Sequence, residues 1–258
     1  MVNINVYDLD GKVKQSVRSP GFFSMEARKD IISRVVSAIE SAEKQPQGRD
    51  PVAGKRNTAK SWGAGFGVAR IPRLKGSGYP GARNAAFIPW AVGGRITWPP
   101  KSEKIIRKKI NAKEKKLGLL NAIVASSQKE LVSQRGHRIE KVPAIPLVVD
   151  DKIQTIKSTS EILKVFENLG LIDDIERVKN SITIRAGRGK TRGHKYKKRK
   201  SVLVVVKDNF GIFQATRNLP GVDIIEISKL NCRHLAPGAL PGRLTLWSHS
   251  AFKQLGNI

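Results

Sequence analysis

Some residues in this sequence have the types and spacing from which chemistry is built. Gly189-Lys190-Thr191 matches the end of a phosphate-cradling P-loop. Such a loop needs a glycine five residues before its second glycine, and Ile184 stands there. The tract also precedes a strand, whereas a P-loop follows a strand and opens a helix. Gly63, Gly65 and Gly67 do not complete a dinucleotide fingerprint, because Val68 occupies the place of the last glycine. His137, His194, His234 and His249 are scattered without ligand spacing. Cys232 with His234 gives one pair where a structural zinc site takes four ligands, so no metal site is expected. Cys232 reads as a small buried thiol. Asp150-Asp151 and Asp173-Asp174 are paired acids at element edges, where capping and turn roles suffice. We expect no catalytic residue, no cofactor and no enzyme activity.

What remains is the chemistry of charge. Arg185–Lys200 reads RAGRGKTRGHKYKKRK and holds no acid. Its glycines, Gly187, Gly189 and Gly193, let a backbone approach phosphates closely. Phosphate contacts dominate the affinity of such surfaces for nucleic acid. The RNA-binding candidates in this tract are Arg185, Arg188, Lys190, Arg192, His194, Lys195, Lys197, Lys198 and Arg199.

A second stretch, Gln45–Pro100, is broken throughout by proline and glycine and shows no sustained periodicity. Asp50 is its only acid. Its cations Arg49, Lys55, Arg56, Lys60, Arg70, Arg73, Lys75, Arg83 and Arg95 are further RNA-binding candidates. Trp62, Phe66, Tyr79, Phe87, Trp90 and Trp98 are interleaved with them, and Trp62 joins the RNA-binding set. Disordered linkers lack aromatics. Unstacked RNA bases stack on aromatic faces and arginine planes. We therefore expect an arm that orders on RNA. As an out-and-back loop it would reach at most about 90 Å at full extension.

These features need elements to hold them. Val2, Ile4 and Val6 alternate with polar residues, turn at Asp8–Gly11 and return through Val13–Val17 as a hairpin. Ser24–Glu43 has a helical stripe of Ile31, Val35, Ala38, Ile39 and Ala42, with Ser24 as N-cap. Helix-compatible spacing resumes at Lys101, with cations crowding the first half, and runs to about Gln134. Ile145–Val149 suits a buried strand, Ser160–Leu169 a short helix and Leu171–Val178 another. Val202–Val206, Val222–Ile227 and Leu244–Trp247 read as strands, with Ser248 capping a terminal helix. Alternating strands and helices predict an α/β fold. Its mostly parallel sheet is flanked by helices in three layers, a Rossmann-like core, with the long loop inserted after the first long helix. We expect one domain over residues 1–258, with a globular core at 1–44 and 101–258 and the extended loop at 45–100.

Composition fits that division. The chain has 258 residues, 40% of them hydrophobic, and a formal net charge of +27. Such an imbalance concerns partners, not fold, and nucleic acid is the first candidate. A membrane surface would call for a basic amphipathic helix or a lipid signal, and neither is evident, so no membrane partner is expected. One cysteine allows no internal disulfide, which fits a reducing cytoplasm. The N-terminal residues lack the layout of a signal peptide.

Several separated motifs then resemble one family. Ser61-Trp62-Gly63, followed by Val68-Ala69-Arg70-Ile71-Pro72-Arg73, is similar to the loop tip of the universal L-four family of large-subunit ribosomal proteins, in its archaeal and eukaryotic form. Gly93-Gly94-Arg95 and Pro99-Pro100-Lys101 resemble that family's return limb. Arg217–Gly221, Ser228–Asn231, Leu235–Gly238 and Gly242–Leu244 with Trp247 resemble its C-terminal signature. The resemblance implies a structural constituent of the large ribosomal subunit in the cytoplasm. Such a protein binds large-subunit ribosomal RNA, supports assembly, and helps line the nascent-peptide exit tunnel with its loop tip. It implies as partners neighbouring ribosomal proteins, including the L-twenty-two family protein, and the nascent peptide, with no homo-oligomer. On that basis Lys60, Ser61, Trp62, Gly63, Phe66 and Arg70 are the tunnel-side residues. Relatives often carry arginine shortly after the Trp-Gly pair, where this chain has Phe66 between Gly65 and Gly67. The rival classes are an RNA-modifying enzyme on an α/β fold, which would need a positioned nucleophile or cofactor loop, and a chromatin factor, which would need a helix-turn-helix or zinc pattern.

Overall fold

A computed structural model of the chain describes residues 3–257. It divides into two compact units, one of Met1–Glu40 with Lys108–Ile258 and one of Ser41–Arg107.

The first unit is α/β. Strand β1 (Asn3–Tyr7) turns at Asp8–Gly11 and pairs antiparallel with β2 (Val13–Arg18). The turn is closed by the Asp8 amide donating to the Lys12 carbonyl at 2.8 Å. Ile4 and Val6 face inward as their alternation predicts, while Val2 lies outside the described residues. Helix α1 (Lys29–Ala42) starts later than Ser24. Ser24 closes a short 3-10 turn, Gly21–Ser24, and its hydroxyl donates to the Gly21 carbonyl, so it cannot cap α1. The buried stripe also differs. Ile31, Ile32, Val35, Val36 and Ala38 are inside, and Ala42 is exposed.

Helix α2 spans Ala112–Ser127 and α3 spans Lys129–Gln134. The helical expectation from Lys101 fails over its first turns, because Lys101–Asn111 forms no helix. Coiling that stretch would stack Lys104 on Lys108 and Lys109 on Lys113, like charges four apart with little acid to offset them.

Strand β3 (Leu147–Val149) is buried throughout. Helices α4 (Thr159–Asn168) and α5 (Ile172–Asn180) lead to a small hairpin of β4 (Thr183–Ile184) and β5 (Tyr196–Lys197). The remaining elements are β6 (Leu203–Val206), α6 (Ile212–Thr216), β7 (Asp223–Glu226), α7 (Cys232–Leu235), β8 (Thr245–Ser248) and α8 (His249–Gln254). Ser248 caps α8, accepting from the Ala251 amide.

The main sheet has the order β2-β1-β3-β8-β6-β7 and is parallel except for β2. Successive side chains of a strand point to opposite faces. Val148, Leu203, Val205 and Trp247 accordingly pack with Ile32 and Val35 of α1, Ile123 of α2 and Phe252 of α8. Leu147, Val149, Val204, Val206 and Leu246 pack with Ile162 and Phe166 of α4, Ile175 of α5 and Ile212 of α6. Helices thus cover both faces, giving the three layers expected. Gly118 of α2 lets α1 come close, since a Cβ there would sit 2.5 Å from Val35 Cγ2.

Candidate RNA interface

The cationic tract Arg185–Lys200 forms the tip and return limb of the β4–β5 hairpin. Arg185 donates its amide to the Lys195 carbonyl at 2.8 Å, and a 3-10 turn, Arg188–Thr191, makes the bend. Gly187 sits before that turn at φ +78°, a conformation that side chains resist. Gly189-Lys190-Thr191 therefore lies between two strands in a turn, not at the opening of a helix. Arg185, Arg188, Lys190, Arg192, His194, Lys195, Lys197, Lys198 and Arg199 are all exposed. Lys195 lies over the Tyr196 ring, 5.4 Å from its centre, so one cation already has an aromatic neighbour.

The Ser41–Arg107 unit is built by backbone hydrogen bonds. Its outgoing and returning limbs meet where the Arg49 amide donates to the Pro100 carbonyl at 3.1 Å. They meet again at Gly54, where a Cβ would lie 2.6 Å from the Gly94 oxygen. Two closed loops follow. Lys60 and Arg73 exchange both backbone hydrogen bonds, at 3.1 and 3.0 Å, and close the loop that carries Ser61, Trp62, Gly63, Phe66 and Arg70. Inside it Ser61 Oγ donates to the Arg70 carbonyl at 2.8 Å, and Trp62 meets Phe66 edge to face at 5.9 Å between centres. Arg73 pairs in turn with Ala85 and closes a second loop, braced by Tyr79 Oη donating to the Lys75 carbonyl at 2.7 Å.

Most of the cations predicted for this unit are exposed: Arg49, Lys55, Arg56, Lys60, Arg70, Lys75 and Arg83. Arg56 pairs with Asp50 at 2.6 Å. Arg73 and Arg95 differ. Arg73 is half-buried, and its Nη1 donates to the Arg83 carbonyl at 3.0 Å, which makes it the joint of the two loops. Arg95 is also half-buried and lies over the Phe87 ring at 5.5 Å. Among the rings, Trp98 is 89% exposed, Trp90 77% and Phe66 62%, while Trp62 and Phe87 are half-buried.

The paired acids at Asp173-Asp174 need a correction. Asp173 makes a surface pair with Lys141, but Asp174 is wholly buried and does more than cap. It accepts from His137 Nδ1 at 3.1 Å, the Arg138 amide at 3.1 Å, Arg177 Nε at 2.9 Å and Ser201 Oγ at 2.6 Å. Burial alone would raise its pKa, yet the hydrogen bonds from His137, Arg177 and Ser201 hold the carboxyl well below the usual range. Arg243, also buried, is the second centre. It donates to the Ser201 carbonyl at 2.9 Å, the His234 carbonyl at 3.0 Å and Asp223 Oδ2 at 2.6 Å. Burial, with the charges of Arg243 and Arg177, pushes the pKa of Arg135 down to about 10. Cys232 is buried, and burial pushes its thiol up to about 12, which suits a packing role. Among the described residues no cluster of ligating side chains could hold a metal ion.

Sequence reasoning also passed over one cationic strip. The spacing predicts that Lys101, Lys104, Arg107, Lys108 and Lys109 open a helix, but they lie exposed on irregular chain with Ile105 among them. Their crowding was the signal that a helix would not form.

The family model for the ribosomal protein L4/L1 family matches residues 18–258. A curated relative from Methanosphaera stadtmanae, named large ribosomal subunit protein uL4, is 45% identical over 258 residues, covering 100% of this chain and 98% of its own. Another of the same name from Methanococcus vannielii is 48% identical over 255 residues, covering 98% of each chain. With a family model matched over nearly its whole length, and relatives as similar as these, this chain belongs to the ribosomal protein L4/L1 family.

Proposed function

We propose that the protein is a structural constituent of the large ribosomal subunit, cytoplasmic, and that it works by binding large-subunit ribosomal RNA rather than by catalysis. The acid-free, exposed hairpin at Arg185–Lys200 carries this reading, and the name shared by the relatives supports it. The hairpin neutralises phosphates. The Ser41–Arg107 unit offers cations together with exposed rings, the pairing that lets chain lie along a backbone while bases stack. The exposed strip Lys101–Lys109 extends the cationic surface. By bridging RNA segments, these surfaces support assembly of the subunit.

The loop closed by Lys60 and Arg73 is the part we assign to the nascent-peptide exit tunnel, opposite the L-twenty-two family protein. Lys60, Ser61, Trp62, Gly63, Phe66 and Arg70 would face the nascent peptide. Phe66, exposed and set against Trp62, gives that tip an apolar edge.

The test is titration with large-subunit RNA over a range of salt. The log affinity should fall by roughly 0.7–0.9 per log unit of salt for each phosphate neutralised, and a flat dependence would refute the phosphate mechanism. For the tip, crosslinking from Trp62 to Arg73 in intact particles should reach both ribosomal RNA and nascent peptide. Crosslinks to neither would remove the tunnel assignment.

A further inference from the structure

The cationic hairpin is exposed along its length, and its strands β4 and β5 are each two residues long. Nothing within it fixes the direction in which it leaves the core. That direction is set at its two roots, α5 on one side and Lys200-Ser201 on the other. The roots are tied to each other directly. Asp174 of α5 accepts from Ser201 Oγ at 2.6 Å, and Arg177 of α5 donates to the Lys200 carbonyl at 3.2 Å.

The second root is then tied to the rest of the core. The Ser201 amide donates to the Gly221 carbonyl at 2.8 Å, and Arg243 donates to the Ser201 carbonyl. Lys200 Nζ reaches both oxygens of Asp223 at 2.9 Å, and Asp223 also receives Arg243. Gly221 stands at φ +76°, where a Cβ would lie 2.8 Å from the Arg199 oxygen and 2.8 Å from Val178 Cγ1. Only glycine allows α5, the hairpin's exit and this turn to converge so closely.

Asp174 and Arg243 are buried and Arg177 is nearly so, where removing one partner leaves the other without solvation, while Asp223 is half-buried and Lys200 lies at the surface. A surface tract that needed only to be positive would not call for such a socket. We propose that Asp174 and Arg243 are positioning residues that lock the two roots of the Arg185–Lys197 hairpin together and aim its cations at one RNA surface. The proposal rests on the RNA-binding reading of the hairpin.

The test uses the full-length protein in two backgrounds, one with the native hairpin and one with Arg188, Lys190 and Arg192 changed to Gln. In each, Asp174→Asn and the milder Ser201→Ala are introduced, and affinity for large-subunit RNA is measured over a range of salt. Circular dichroism establishes that the core is folded, and should Asp174→Asn fail that check, Ser201→Ala carries the test. With the native hairpin, losing one buried hydrogen bond at the root should weaken binding about fivefold and flatten the salt slope. With the neutralised hairpin the same substitution should change affinity less than about twofold, because it acts through the hairpin. An equal loss in both backgrounds, or no loss in the native one, overturns the proposal and leaves the hairpin's RNA role intact. If neutralising the hairpin itself leaves affinity unchanged, the RNA reading of the hairpin falls and the proposal falls with it.

Discussion

The two units of this chain use the same side chains in opposite ways. Trp247 in β8 is wholly buried and packs edge to face with Phe252 at 6.4 Å. Trp98, in the Ser41–Arg107 unit, is 89% exposed. Around Trp247 the chain spends its apolar residues on a sheet covered on both faces. In Ser41–Arg107, Ala86 is the buried hydrophobic residue among those described. The first unit draws its stability from burial. The second takes its shape from backbone hydrogen bonds at Arg49–Pro100, Lys60–Arg73 and Leu74–Asn84 and from turns at glycine. Trp90 and Trp98 are left exposed, as the proposed RNA-covered surface requires.

The strongest way to break this contrast is to truncate one tryptophan in each unit. Trp247→Ala should cost about 3–5 kcal/mol of unfolding free energy in denaturant melts, because it opens a cavity between β8 and α8. Trp98→Ala should leave the melt within roughly 0.5 kcal/mol of the parent. In titration with large-subunit RNA, the loss of a stacking ring should cost roughly 1–3 kcal/mol. Equal destabilisation by the two would mean that Trp98 belongs to a core.

A smaller effect separates the two kinds of stability. Gly54 has φ +78°, and a Cβ there would lie 2.6 Å from the Gly94 oxygen and 2.7 Å from the Arg95 nitrogen. Both are backbone atoms. Gly54→Ala should therefore strain the meeting of the limbs by about 1–2 kcal/mol. The expected readout is faster proteolysis within Ser41–Arg107 with an unchanged cooperative melt. A lowered melt would show that the limbs and the sheet unfold as one.

What the sequence disclosed follows the same division. Strands β3 and β6 are legible because strands buried on both faces read as continuous apolar runs, and β8 is legible from Leu244, Leu246 and Trp247 although Thr245 and Ser248 are polar. The hairpin cations are legible because an acid-free run announces its charge without any structure. Ser24 misled because a hydroxyl before an apolar stripe looks like a cap, and only the Gly21–Ser24 turn reveals that its oxygen is already engaged. Ile105, Ile106 and Ile110 misled by their spacing, since periodicity does not weigh the repulsion of the lysines between them. The socket at Asp174 was illegible for a different reason. Its partners Ser201 and His137 lie 27 and 37 positions away, and single-sequence spacing cannot see pairs brought together by a sheet.

That socket also gives the core a response to pH. His137 is buried, and burial first, with the charges of Arg177 and Arg135, lowers its pKa against the raising effect of Asp174. The folded protein therefore binds a proton at His137 less readily than the unfolded chain, which takes one up as pH falls through about 6.5. The unfolded state then binds more protons, so stability declines as pH drops below that value, by at most about 1.4 kcal/mol per pH unit for one group. His234, lowered first by burial, contributes with the same sign. Asp174 acts in a lower window. Its carboxyl is held down by its donors, so its stabilisation is present above about pH 3.9 and is lost as pH falls below that value. His137→Gln should thus flatten the decline in melting temperature between pH 7 and 5 and leave the fall below pH 4. Hydrogen-exchange protection within Lys60–Ala85, corrected for the intrinsic pH dependence of amide exchange, should stay level over the upper window. An undiminished slope in His137→Gln that disappears in His234→Gln would move the titrating group to His234, and the sensitivity would then belong to the Arg243 side of the cluster.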